Sequence, residues 1–335
     1  MIIVNKAYPR AALIGNPSDG YHGKTIAFTF SNFYAETTIY ESPKLKIVPN
    51  QKDHSSFKNI HDLVVDVNRY GYYGGLRLIK AAVKKFYEYC RQVEIKLDDR
   101  NFTIEYLSSI PHGLGLAGSS AIITAGIRSL MAFYAVDIPK PVLANIVLAV
   151  ETDELGIPAG LQDRVAQVYQ GLVYMDFSKE IMENKGYGCY EYTDSSLLPD
   201  LYIAYWHNLA ENSEKVHDKF RSKYREKDEQ FYKSVVKWAK LTDKVKKSLL
   251  GGQKKDIGGY INENFDLRQI VQQVNPGNVE MIAAVRSIGA SAKFTGSGGA
   301  IIGTFDGLEM YDALQRKLST MGIEIIRPVI TDRTA

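Results

Sequence analysis

The reading of this chain turns on Ile110-Pro111-His112-Gly113-Leu114-Gly115-Leu116-Ala117-Gly118-Ser119-Ser120-Ala121. Upstream, Asn101 to Leu107 has the β-branched and aromatic content of a strand. Downstream, Gly118 to Tyr134 is a helical run whose small residues Ala121, Ala125 and Gly126 let another backbone come close. Strand, glycine loop and helix in that order make an anion site. Gly113, Gly115 and Gly118 allow the main chain to reach a ligand, and the free amides and dipole at the helix start favour negative charge. Paired serines at a helix start also serve as plain caps. On the residues alone the loop is either a phosphate cradle or a capped turn.

Working outward, Arg10 to Ile14, Thr25 to Phe30 and Tyr34 to Tyr40 read as strands, with turn chemistry at Asn16 to Gly20. Gly74 to Cys90 is an amphipathic helix with Leu78, Ala82, Val83 and Phe86 on one face. Further helices are expected over Lys140 to Glu154 and Asp163 to Tyr169, and a strand over Gly171 to Phe177. The second half opens with a core strand near Tyr202 and long helices over 214–250 and 253–273. A helix at 279–288, strands at 292–295 and 300–305, a helix at 308–321 and a strand at 323–330 finish the chain. Helices and strands mix without regular βαβ alternation, which points to α+β.

The 335 residues suggest two domains at roughly 150 residues each. With 45% hydrophobic and 24% charged residues the composition is that of a folded chain, and a net charge of +3 argues against nucleic acid as a partner. The basic stretch Lys237 to Lys255 reads as a solvated helix face. Cys90 and Cys189 form neither a disulfide framework nor a zinc motif. No stretch approaches a membrane span or a signal h-region, so a soluble, cytoplasmic protein with no membrane partner is expected. Ser18 to Thr25 nearly matches a P-loop, but the strand-like TIAFTF that follows argues against one, because a P-loop opens a helix.

Three motifs in order resemble those of the GHMP small-molecule kinases: Arg10-Ala-Ala-Leu-Ile-Gly-Asn-Pro-Ser-Asp19, Pro111 to Ala121 with Ala117 as an extra residue, and Lys293-Phe-Thr-Gly-Ser-Gly-Gly-Ala300. On its own the last is a glycine hairpin or bulge. GYYGGLRL, ELGIPAGLQDRVAQVYQGLVYMDFSKE and NFDLR extend the likeness to the plant-type glucuronokinase branch of that family.

The resemblance implies a two-lobed α+β fold, a ribosomal-protein-S5-like domain over 1–198 and a ferredoxin-like domain over 199–335. It implies ATP and Mg²⁺ as cofactors, and phosphoryl transfer to the anomeric hydroxyl of D-glucuronate. The product, glucuronate 1-phosphate, feeds UDP-glucuronate synthesis. Galacturonate, arabinose or a heptose phosphate as acceptor, or a kinase-derived sugar sensor, are the alternatives. Gly113 through Ala121 would wrap the phosphates, Ser120 and Glu151 would hold the metal, Asp163 would take the hydroxyl proton and Arg10 would support it. Asp19, with Gly296, Ser297 and Gly298, would face the sugar. Asn16-Pro17 stands where galactokinases have Glu-His, so their sugar contacts at that turn do not transfer. A uronate carboxylate calls for a cation; Lys24, Arg164 and Arg268 are candidates, and for each the plainer reading is a surface or interdomain salt bridge. The oligomeric state is left open.

Overall fold

The computed structural model describes residues 1–50, 53, 74–210 and 214–333. Gly71 to Tyr73 of the GYYGGLRL stretch lie outside the described residues. In chain order the strands are β1 (Ile2–Ala7), β2 (Arg10–Ile14), β3 (Lys24–Thr29), β4 (Ala35–Glu41), β5 (Lys46–Ile47), β6 (Phe102–Ser108), β7 (Leu172–Asp176), β8 (Cys189–Thr193), β9 (Leu201–Tyr205), β10 (Lys293–Phe294), β11 (Ala300–Thr304) and β12 (Glu324–Ile326). The helices are α1 (Gly75–Gln92), α2 (Gly118–Tyr134), α3 (Lys140–Ala149), α4 (Leu161–Tyr169), α5 (Lys179–Lys185), α6 (Glu214–Arg225), α7 (Glu229–Leu250), α8 (Ile257–Val271), α9 (Pro276–Arg286) and α10 (Gly307–Ser319). None is long and apolar enough to cross a membrane.

These elements gather into two compact units that interleave along the chain. One comprises Met1–Pro9, Phe33–Ile110 and Ala117–Tyr169; the other comprises Arg10–Asn32, Pro111–Leu116 and Gln170–Ala335. By packing the chain therefore divides differently from a single cut after residue 198. The reason is that β2 and β3 pair with β7, and helix α7 lies against β3.

The first unit is built on a sheet in the order β1-β4-β6-β5. Strand β4 shows why: Ala35, Thr37 and Ile39 are buried while Glu36, Thr38 and Tyr40 are partly exposed, the period of two that a half-covered strand requires. Helix α2 covers the buried face, and Thr37 Oγ1 meets Ser129 Oγ at 2.7 Å. Gly126 accommodates α1; a Cβ there would lie 3.2 Å from Ile79 Cδ1. The helix expected over 140–154 changes pitch partway: α3 ends at Ala149 and Val150–Glu154 forms a π turn. Helix α4 begins two residues earlier than expected, which brings Asp163 into its first turn.

The second unit holds two sheets, β2-β3-β7-β8 and β10-β11-β9-β12. Strands β9 and β11 are almost wholly buried, and the core beside them takes Phe265 from α8, Met281 and Val285 from α9, and Leu314 and Leu318 from α10. The helix expected over 214–250 breaks at 226–228. Lys227 takes a left-handed φ of 56° and the Asp228 side chain accepts the Phe231 N–H at 2.7 Å, so α7 starts with its own cap. Ser18 to Thr25 is a 3₁₀ turn followed by β3, with no helix after it, as its strand-like continuation predicts.

Candidate active site

In the first unit, α2 starts abruptly. Its capping position is Ala117, the extra residue of the motif, at a left-handed φ of 62°. For an alanine that conformation costs about 1 kcal/mol. The Ala117 carbonyl is heavily used: it accepts the Ala121 N–H, the Ser120 hydroxyl at 3.2 Å and the Gln167 amide at 2.8 Å. Ser120 is fully buried and turned back on its own turn. Its neighbour points elsewhere, since successive helical residues lie about 100° apart. Ser119 Oγ donates to Glu151 Oε1 at 2.7 Å. The hydroxyl beside the acid therefore belongs to Ser119, not to Ser120 as the motif suggests.

Glu151 sits on the π turn and is 1% exposed. Its Oε2 accepts the Arg164 Nε–H at 2.9 Å and a second bond from Arg164 Nη2. Arg164 Nη1 donates to the Gly160 carbonyl at 2.8 Å and lies 3.3 Å from Asp163 Oδ2. Ser119, Glu151, Arg164 and Asp163 thus form one connected line, with the Asp163 side chain 19% exposed at its end. Ser119 Oγ and Glu151 Oε1 are hard oxygen donors facing each other, a set that suits Mg²⁺. Among the described residues no cluster of three or more His, Cys, Asp or Glu is placed to hold a metal ion.

In the second unit, three sequence-distant segments knot together. Arg10, buried at the start of β2, donates from Nη1 to the Gly115 carbonyl at 2.6 Å and to the Thr295 carbonyl at 3.0 Å. Gly113 and Gly115 adopt left-handed φ values of 72° and 64°, and a Cβ on Gly115 would lie 2.9 Å from the Ser297 N–H nitrogen. Leu114 and Leu116, each following one of these glycines, are buried anchors. Arg268 donates to the carbonyls of Gly296 at 2.8 Å and Ser297 at 3.2 Å, and its guanidinium lies over Phe294. Lys293, 1% exposed, donates to the carbonyls of Ala12 and Phe294. Burial and the nearby Arg268 and Arg10 pull its pKa well below the usual lysine range. Asn264 holds the turn after β2 from both sides, accepting the Gly15 N–H at 2.7 Å and donating to the Asn16 carbonyl at 3.0 Å.

The three candidate cations are all committed to the protein's own oxygens. Lys24 lies 3.0 Å from Asp243 and 3.4 Å from Asp176. Burial disfavours its charge, but the hydrogen bond to Asp243 and the field of both carboxylates outweigh that and hold it above the usual lysine range. Arg164 serves Glu151 and Asp163, and Arg268 straps the Gly296 turn. Asp19 is half-buried in the 3₁₀ turn; after burial it is the main influence raising the Tyr21 pKa. Lys293, Asn264 and Gln167 lie within the quoted motif stretches, but the sequence assigns no role to any of them. Only burial marks them, and burial of a polar residue leaves no local pattern.

Residues 77–171 match the family described as GHMP kinases N terminal domain. The chain is 43% identical over 308 residues to the probable glucuronokinase 2 of Arabidopsis thaliana, covering 90% of this chain and 84% of that protein. This chain belongs to the GHMP kinases. Glucuronokinase 1 of the same plant is 41% identical over 306 residues, again covering 90% and 84%. The GHMP kinase fold is shared with the galactokinase of Lactococcus lactis, at a TM-score of 0.75 and 14% identity over 99% of this chain and 95% of that one. In this GHMP kinase the matched family segment ends just after α4, so Ser119, Glu151, Arg164 and Asp163 all fall within it.

Proposed function

We propose that this GHMP kinase transfers the terminal phosphoryl group of ATP to the anomeric hydroxyl of D-glucuronate, giving glucuronate 1-phosphate and ADP. The observation that carries the reading is the 43% identity to a glucuronokinase across 90% of the chain. The geometry supports it, because phosphoryl transfer is mostly positioning and charge stabilisation. The loop Gly113 to Ala121 presents its amides to the phosphates. Ser119 and Glu151 would hold Mg²⁺, which would supply charge neutralisation for the phosphates. Asp163 accepts or orients the proton of the attacking hydroxyl, and Arg10 takes the supporting role that its motif implies. Asp19 and the turn Gly296 to Gly298 face the sugar. Lys24, Arg164 and Arg268 already serve oxygens of the protein itself, so this reading assigns none of them to the uronate carboxylate. In this reading the two family domains run over 1–198 and 199–335, a cut distinct from the packing units.

ADP release measured across glucuronate, galacturonate, glucose, arabinose and a heptose phosphate tests the reading. Glucuronate is expected to lead glucose in kcat/KM by about 10- to 100-fold, the worth of one charge-assisted hydrogen bond. Equal efficiency on both would remove the uronate while leaving the kinase.

The serine pair gives a second test. Ser119→Ala is expected to raise the Mg²⁺ concentration needed for half-maximal turnover. Ser120→Ala should leave it unchanged and cost about 1 kcal/mol of stability through one lost hydrogen bond. Magnesium titrations beside thermal unfolding decide, and the opposite pattern would restore Ser120 as the ligand.

A further inference from the structure

Arg164 is a cation lodged between the two acids on which the proposed chemistry depends. It is 5% exposed, and the carboxylate it grips on Glu151 is 1% exposed. Charges so deeply buried persist only when paired. Three of its nitrogens are spoken for: Nε and Nη2 by Glu151 Oε2, and Nη1 by the Gly160 carbonyl and Asp163 Oδ2. A guanidinium is planar and rigid, so these three oxygens are fixed relative to one another by a single group. Glu151 Oε1 is left facing Ser119, its partner in the metal pair proposed above.

The surroundings point the same way. The π turn inserts an extra residue per turn exactly where Glu151 occurs, a distortion that recurs at functional sites. Its last residue, Glu154, is pinned from outside by Lys84 at 2.5 Å and Lys85 at 3.2 Å on α1. The turn is thus held on two sides, by α1 through Glu154 and by α4 through Arg164.

We propose that Arg164 is a positioning residue that ties the metal-binding carboxylate of Glu151 to the proton-accepting Asp163, and that it does not read the sugar. A fixed cation between two carboxylates offsets their mutual repulsion. It also sets the direction of both, as partners behind a metal ligand generally do. The inference rests on the roles given above to Glu151 and Asp163.

The test uses the full-length enzyme with Arg164→Lys, Arg164→Gln and Arg164→Met. Arg164→Lys keeps the charge but cannot span both acids. It is expected to melt within a few degrees of wild type and to lower kcat by about 100-fold, since misplacement by an ångström costs about that much. KM for glucuronate should stay within about threefold, and the glucuronate-to-glucose ratio of kcat/KM should not move. Calorimetry with a non-hydrolysable ATP analogue supplies a readout independent of turnover. The Mg²⁺ concentration that supports nucleotide binding should rise about tenfold. A raised KM for glucuronate with kcat intact and a collapsed sugar ratio would overturn the proposal in favour of a carboxylate clamp. Wild-type kcat and metal dependence in destabilised variants, or failure of all three to fold, would overturn it in favour of a purely structural pair. Asp163→Asn and Glu151→Gln run alongside. If both leave turnover and metal dependence untouched, the underlying reading fails; if both impair them while the Arg164 variants do not, only this inference fails.

Discussion

Asp163→Asn is expected to lower turnover on glucuronate by about 10²- to 10⁴-fold, the usual contribution of a positioned proton acceptor. The substitution keeps size and shape and removes only the basic oxygen. Asp163 stands in the first turn of α4 with its side chain 19% exposed, so the fold does not depend on it as it depends on buried Glu151. The ion pair with Arg164 at 3.3 Å is weakened, but Arg164 keeps its bonds to Glu151 and Gly160. The melting temperature should therefore shift by no more than a few degrees, and nucleotide affinity should stay near wild type. Single-turnover kinetics and calorimetry on the same preparation check both halves. Wild-type turnover in a folded variant would remove Asp163 from the chemistry.

The second large effect is expected at Gly296. A Cβ there would collide with the Gly115 carbonyl and stand 2.8 Å from both terminal nitrogens of Arg10. Neither obstacle yields cheaply. One is backbone of the phosphate loop, and the other is a buried guanidinium held at the Gly115 and Thr295 carbonyls. Gly296→Ala should cost about 1–3 kcal/mol by overpacking. By displacing the loop and Arg10 together it should also lower kcat/KM by about 100-fold. Gly20→Ala is the matched control, because a Cβ at Gly20 meets nothing within 4 Å. Thermal unfolding and steady-state rates separate the two variants. An indifferent Gly296→Ala would mean that the contact between these turns carries neither stability nor activity.

Much of this was legible in the residues. Helix α2 and strand β2 begin and end where their sequences indicate, because glycine on one side and apolar pattern on the other bound them. The near-P-loop at Ser18 was rejected correctly on the strand that follows it. What escaped was side-chain direction. Two adjacent serines have the same spacing to any distant acid, so only the helical phase of α2 tells that Ser119 meets Glu151. The π turn left no trace in Lys140 to Glu154, since one residue of altered pitch barely changes apolar periodicity. Strand β8 was passed over although Tyr190 and Tyr192 alternate in it, as its residues are only partly buried. The candidate cations show the limit from the other side. Charge type singles out Lys24, Arg164 and Arg268, and only the structure gives the protein oxygens that each one serves.

The interleaving of the two packing units bears on how the chain is made. The whole sequence of the first unit has been made once Tyr169 is synthesised. The second unit is different: β2 and β3 emerge among the first thirty residues, yet the helix that covers them, Glu229–Leu250, comes some two hundred residues later. At translation speeds of roughly 5–20 residues per second that is a wait of about 10–40 s. The last closure is later still. Thr331 donates its N–H to the Thr29 carbonyl at 2.9 Å, and the two hydroxyls meet across 302 positions of sequence. Such distant pairings slow folding. Neither unit corresponds to a contiguous fragment, so a nascent chain released at residue 198 would carry a sheet of four strands with its covering helix missing.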